Sequence, residues 1–144
     1  MEYQDKVLLL RKYKDAVRLA KYYQEEVDQY KQSKEQAKSQ QITDMPVAHG
    51  NNTDLSDYME KLEEMQDKVF VQLNKAQNMK ANIFVWCESL KNVDERLVIQ
   101  YHYLQDHKFG WIADEMHYSE KTVKRKHNKA IEHLPDPNFT DNWI

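Results

Sequence analysis

Glycine and proline are almost missing from this chain, with two Gly and three Pro in 144 residues. Glycine permits φ > 0 and proline removes an amide donor, so both punctuate a fold. Their scarcity, beside abundant Lys, Glu, Gln and Tyr, predicts an all-α protein. Two glycines cannot build a phosphate-cradling loop, and neither GxxxxGK nor GxGxxG occurs. The single cysteine, Cys87, excludes an internal disulfide and fits a reducing cytosol. It has no local base to activate it and is expected at a helix interface. No apolar run approaches the ~20 residues that span a bilayer, so no membrane partner is expected. Val7 to Leu10 is too short for a signal-peptide core.

Catalytic patterns are missing too. The chain has six histidines, but His102 and His107 stand five apart, and His117, His127 and His133 have no ligand set at helical spacing. HExxH, CxxC and paired acidic motifs are absent. No metal or cofactor is expected, and nothing supports an enzyme.

What is present is charge, unevenly placed around a net of -3. Residues 1–40 carry 9 basic and 7 acidic side chains, and residues 41–118 carry 7 basic and 13 acidic. Residues 119–134 hold Lys121, Lys124, Arg125, Lys126 and Lys129 against only Glu120 and Glu132. One dense basic cluster on an otherwise acidic chain predicts a local, oriented contact with DNA rather than general affinity.

Two long amphipathic helices come first. Leu10, Tyr13, Val17, Ala20, Tyr23, Val27 and Tyr30 recur at spacings of three and four, predicting a helix from residue 3 to about 40. So long and narrow a stripe must pack against another long helix, in this chain or a partner. Pro46 and Gly50-Asn51-Asn52 make residues 41–53 a linker. Thr53 or Asp54 then caps a second helix to about Leu90, with Leu55, Met59, Leu62, Met65, Val69, Leu73, Ala76, Met79, Ile83, Trp86 and Leu90 on its seam. Met65 and Met79 read as core filler. The expected arrangement is a helical hairpin, with residues 3–40 and 54–90 also available for homodimerisation.

A three-helix unit follows. Asp94-Glu95-Arg96 opens a helix that buries Leu97, Val98, Tyr101 and Leu104, and Gly110 is expected to permit the sharp turn after it. FGWIADEMHYSEKTVKRKHNKAIEHL, residues 109–134, then reads as a helix-turn-helix. Trp111 to Met116 forms a short helix, His117-Tyr118 the connection, and Ser119 the N-cap of the second helix. Ile112, Ala113, Met116, Val123, Ala130 and Ile131 form its core, and His127 and Leu134 share the buried side. His117 occupies a turn position that glycine often takes, so its backbone must either avoid φ > 0 or hold it at a cost. The same helical pattern also occurs in plain bundles, where a basic stripe is only a solvated face.

If the second helix enters a major groove, Ser119, Glu120, Lys121, Thr122, Lys124, Arg125 and Asn128 are candidates for base contacts, with Lys124 and Arg125 first for guanine or phosphate. Lys108, Lys126 and Lys129 are candidates for phosphates. Pro135 and Pro137 stop the helix, leaving an apolar tail with Phe139, Trp143 and Ile144. The expected divisions are 1–90, a long-helix oligomerisation or interaction region; 91–134, the helix-turn-helix domain; and 135–144, the tail.

Residues 88–134 resemble region four of bacterial sigma factors, which reads the −35 promoter element. The matching features are Glu95-Arg96, Tyr103-Leu104, Ile112-Ala113, Ser119, Thr122-Val123-Lys124 and Ala130-Ile131 before Leu134. The upstream part is unlike the sigma region that melts the −10 element. As a whole the chain resembles small phage or prophage regulators of the ArpU/RinA type, to which ITDMPVAHGNNTDLSDYMEKLEE is also similar. The resemblance implies a transcriptional regulator in a bacterial cytoplasm, with double-stranded DNA and RNA polymerase as partners and DNA contacts on Ser119 to Arg125. The alternative is an adaptor that meets RNA polymerase without reading DNA.

Overall fold

A computed structural model describes residues 1–40 and 52–137, with side chains for 1–37 and 54–137. Among these residues the secondary structure is wholly helical. Helix α1 runs Tyr3–Gln40 and α2 runs Asn52–Glu88, uninterrupted because neither contains Gly or Pro. Helices α3 (Val93–Ile99), α4 (Phe109–Met116) and α5 (Glu120–His133) follow. Because α2 starts at Asn52, Thr53 and Asp54 lie in its first turn rather than capping it. Asp54 there faces the positive end of the helix dipole. Linker residues 41–51 and the tail residues Phe139, Trp143 and Ile144 lie outside the described residues.

Packing divides the chain into two units, one of residues 1–16 with 75 onward and one of residues 17–74. In the second unit α1 and α2 are antiparallel. Tyr30 stacks on Tyr58 with ring centroids 5.2 Å apart, and Lys61 and Lys34 lie over the Tyr30 and Tyr58 rings. Val27, Leu62 and Val69 are buried there, edged by Tyr23 and Met65. The seam is narrower than the apolar spacing suggests. Val17, Leu55, Met59 and Leu73, all expected on it, are exposed. On α2 Leu62, Val69, Ala76 and Ile83 are buried at intervals of seven, and Met59 and Leu73 fall three residues short of that series, off its face. On α1 Ala16, the residue before Val17, is buried instead.

The other unit has two cores. The larger gathers Val7, Leu9 and Leu10 from α1, Ile83, Trp86 and Cys87 from α2, then Leu90, Ile99, Tyr103, Leu104, Ala130, Ile131 and Leu134. Cys87 is fully enclosed, and burial pushes its thiol pKa up to about 12. The smaller core joins Val98, Ile112, Ala113 and Val123, with Tyr101, Phe109 and Met116 packed around it.

Helix α3 does not keep one face. After Ile99 the chain widens into a π-helical turn, Gln100–Leu104, where the Gln105 amide donates to the Gln100 carbonyl at 3.1 Å. The extra residue rotates the following side chains. Tyr103 and Leu104 are buried and Tyr101, expected inside, is half-buried; within α3 itself, before the turn, Val98 and Ile99 are buried and Leu97, also expected inside, is half-buried. The left-handed residue that ends this segment is Asp106 (φ 57), not Gly110, which sits inside α4 without positive φ. Aspartate tolerates that conformation better than most side chains.

Candidate nucleic-acid interface

Helix α5 is anchored at both ends by different cores. Val123 closes the smaller one, while Ala130, Ile131 and Leu134 enter the larger. His127 is also buried, so the entire face expected from helical spacing points inward.

Its N-terminus is capped by Ser119, whose hydroxyl accepts from the Thr122 amide at 3.2 Å and lies 2.9 Å from the Thr122 hydroxyl. The turn before it is a Schellman motif. His117 sits at φ 60, ψ 40, the Tyr118 amide donates to the Ala113 carbonyl at 3.0 Å, and the His117 amide to Asp114 at 3.4 Å. The sequence thus holds a histidine where the motif favours glycine, in the left-handed conformation rather than avoiding it.

The C-terminus is capped from a distant segment. Buried Lys6 of α1 donates through Nζ to the carbonyls of Ile131 at 3.1 Å and Leu134 at 2.6 Å. An ammonium at the last turn satisfies orphan carbonyls and complements the negative end of the helix dipole. Trp86 secures the following residue by donating its indole N–H to the Pro135 carbonyl at 2.8 Å. Glu95, buried at the start of α3, accepts from His133 Nδ1 at 3.0 Å.

The outward face of α5 carries Lys121, Lys124, Arg125 and Lys129, all exposed. Lys124 lies 3.5 Å from Glu120, one turn earlier, with both side chains more than half exposed, so the pair restrains Lys124 weakly. Lys108 is also exposed, at the N-cap of α4.

Two candidates are already engaged. Lys126 is half-buried, 3.3 Å from Asp94, and lies over the Tyr118 ring at 4.9 Å. Tyr118 itself donates to Asp94 at 2.7 Å, and this bond, with Lys126, holds the Asp94 carboxyl below the usual carboxylate range. This trio ties α3, the turn and α5 together. Asn128 is exposed but accepts from the Tyr3 hydroxyl at 2.8 Å and from His127 Nδ1 at 3.1 Å.

The last bond fixes a tautomer. With Nδ1–H donated to Asn128, His127 Nε2 accepts from the Tyr103 hydroxyl at 2.7 Å, behind the outward face. Burial, chiefly, holds His127 and nearby His102 below the ordinary histidine pKa. Nothing local in the sequence signals the Tyr3 and Lys6 contacts, whose partners stand about 125 positions away; a Lys opposite a helix end is visible only in three dimensions.

A short helix, a tight turn and a capped second helix with one buried and one cationic face define a helix-turn-helix. Residues 92–135 match the family described as Sigma-70, region 4. The chain therefore carries a region-four helix-turn-helix over about a third of its length. No curated protein and no solved structure matches the chain.

Proposed function

We propose that the protein is a sequence-specific regulator of transcription that binds double-stranded DNA by placing α5 in the major groove. The observation that carries this reading is the exposed row Lys121, Lys124, Arg125 and Lys129, on a helix whose opposite face is locked into two cores. A rigid helix presenting long cationic side chains can reach guanine edges and flanking phosphates at once. Arg125 and Lys124 are assigned to base or phosphate contacts, Glu120 and Lys121 to base reading, and Lys108 and Lys129 to phosphates. No catalysis is part of this role. The finer identity we propose is that of a phage or prophage regulator of the ArpU/RinA type, acting in the bacterial cytoplasm. It is supported by the resemblance of the upstream sequence to those proteins.

Selection of random duplexes by the purified chain tests the reading. An enriched motif is expected, and an inverted repeat within it would indicate a symmetric dimer. Arg125→Ala should weaken binding to that motif by about 1–3 kcal/mol and relax preference at one position. A uniform loss across all sequences would remove Arg125 from base reading.

One observation favours a second role alongside the first. Phe70 and Val71 in the middle of α2 are exposed, as are Phe84 and Val85 nearer its end. Such side chains suit contact with RNA polymerase or a second copy of the chain. A variant with Lys121, Lys124, Arg125 and Lys129 neutralised that still regulated would make this interaction the principal activity.

A further inference from the structure

The start of α1 is tied to the helix-turn-helix at two points. Tyr3 donates to Asn128 on α5 at 2.8 Å, and Lys14 Nζ lies 2.9 Å from Asp106 in the turn before α4. Positions 3 and 14 are close to three helical turns apart, so both side chains leave α1 on one face. Val7 and Leu10, between them on that face, are buried in the larger core.

Each tie point belongs to a margin of the cationic surface. Asn128 follows Lys124 by one turn on the outer side of α5. Asp106 borders an open groove of about 690 Å³ that Lys108, Trp111 and Lys124 also line. The α1 segment from Tyr3 to Lys14 therefore runs from one margin to the other. Arg11 lies within it, exposed, and close enough to both His102 and His127 to disfavour their protonation. Lys14 and Lys124 have acidic neighbours in Asp106 and Glu120, whereas Arg11 and Lys108 make no ion pair among the described residues.

We infer that the beginning of α1 is part of the nucleic-acid interface, with Arg11, together with Lys108, contacting the sugar-phosphate backbone of duplex DNA beside the bases met by α5. This rests on the reading of α5 as the DNA-reading helix. A guanidinium meets phosphate oxygens bidentately and keeps its charge in any setting. Such a contact carries no base information and fixes the register of α5 on the duplex. It also brings the long-helix region, which lies outside the region-four match, into the DNA footprint.

The test is binding of the full chain to a random-sequence duplex of about 40 base pairs across a salt series, because each phosphate contact contributes about 0.9 to the logarithmic salt slope. Arg11→Gln should lower the slope by about that amount and weaken binding several-fold at physiological salt. Arg11→Lys, which keeps the charge, should retain most of the slope. Lys91→Gln, an exposed cation near Glu95 and His133 at the far end of α5, should leave it unchanged. Melting temperatures check that each variant is folded. An Arg11→Gln slope equal to that of the parent and of Lys91→Gln, with Arg125→Ala still weakened on the enriched motif, overturns the α1 contact and leaves the role of α5 standing. A parent chain with no salt-dependent DNA binding overturns both.

Discussion

The same two helices serve two regions of this molecule in different ways. In the unit of residues 1–16 and 75 onward, Leu10, Ile83, Trp86, Cys87 and Leu90 are at most 5% exposed, because α5 and the π-helical turn close over them. Between residues 17 and 74 the pair buries little more than Val27, Leu62 and Val69, with tyrosines half in solvent and Leu19, Tyr22, Phe70 and Val71 exposed. Two helices alone can cover only one narrow stripe of each other, and a closed core needs further elements. Where the helix-turn-helix packs on them, the long helices become part of a domain. Elsewhere they remain a seam.

The largest expected effect sharpens this contrast. Leu10→Ala should cost about 2–5 kcal/mol, since it empties a fully enclosed site. Val27→Ala in the seam should cost about 1–2 kcal/mol, near the transfer value of the methyl groups removed. Urea unfolding of both variants measures this, and equal losses would break the comparison.

Acid should act on the same side of the contrast. His127 and His102 are held below the ordinary histidine pKa, mainly by burial, and the positive charges of Arg11 and, at His102, Lys14 add to this. Their folded forms stay neutral while the unfolded chain takes up protons near pH 6.5. Their contribution is therefore complete above about pH 6.5 and is lost as pH falls through the folded values. The seam has no histidine among its described residues. Melting at about pH 7.5 and about pH 5 should show a lower midpoint in acid, carried by loss of the α5 environment rather than of the tyrosine seam. Tryptophan fluorescence follows the first of these alone, because Trp86 and Trp111 belong to the helix-turn-helix unit and no tryptophan lies between residues 17 and 74.

The smallest effect is a gain. His117 holds φ 60 at the end of α4, a conformation that glycine adopts without a Cβ penalty. His117→Gly should stabilise the helix-turn-helix unit by about 0.5–1 kcal/mol and leave the seam as it was. A lowered melting temperature would mean that the imidazole makes a contribution larger than the backbone cost.

The inward face of α5 was legible because Val123, His127, Ala130, Ile131 and Leu134 follow an unbroken helical period. Ser119 was legible as a cap because the capping bond is local. On the segment before α4, Val98 and Leu104 are buried as their spacing indicates, but the π-helical turn at Gln100–Leu104, which no local sequence signal marks, turns Tyr103 inward in place of Tyr101. Apolar spacing also overstated the hairpin seam, since Met59 and Leu73 lie within helical spacing of buried positions yet off the face that Leu62, Val69 and Ala76 define, and Leu55, on that series, is exposed in the first turn of α2. Least legible were the charges. Lys126 looks like its neighbours in sequence, yet Asp94 and Tyr118 hold it, and Lys6 looks like a surface lysine, yet it caps α5.

The central claim is that α5 reads DNA from the major groove, and guanine N7 methylation tests it most directly. N7 lies in that groove at the position a bidentate arginine or lysine would occupy. On the duplex enriched by the full chain, methylation should block binding at discrete guanines, with one of them losing its effect in Arg125→Ala. Binding indifferent to N7 methylation at every guanine of the enriched motif would contradict the account.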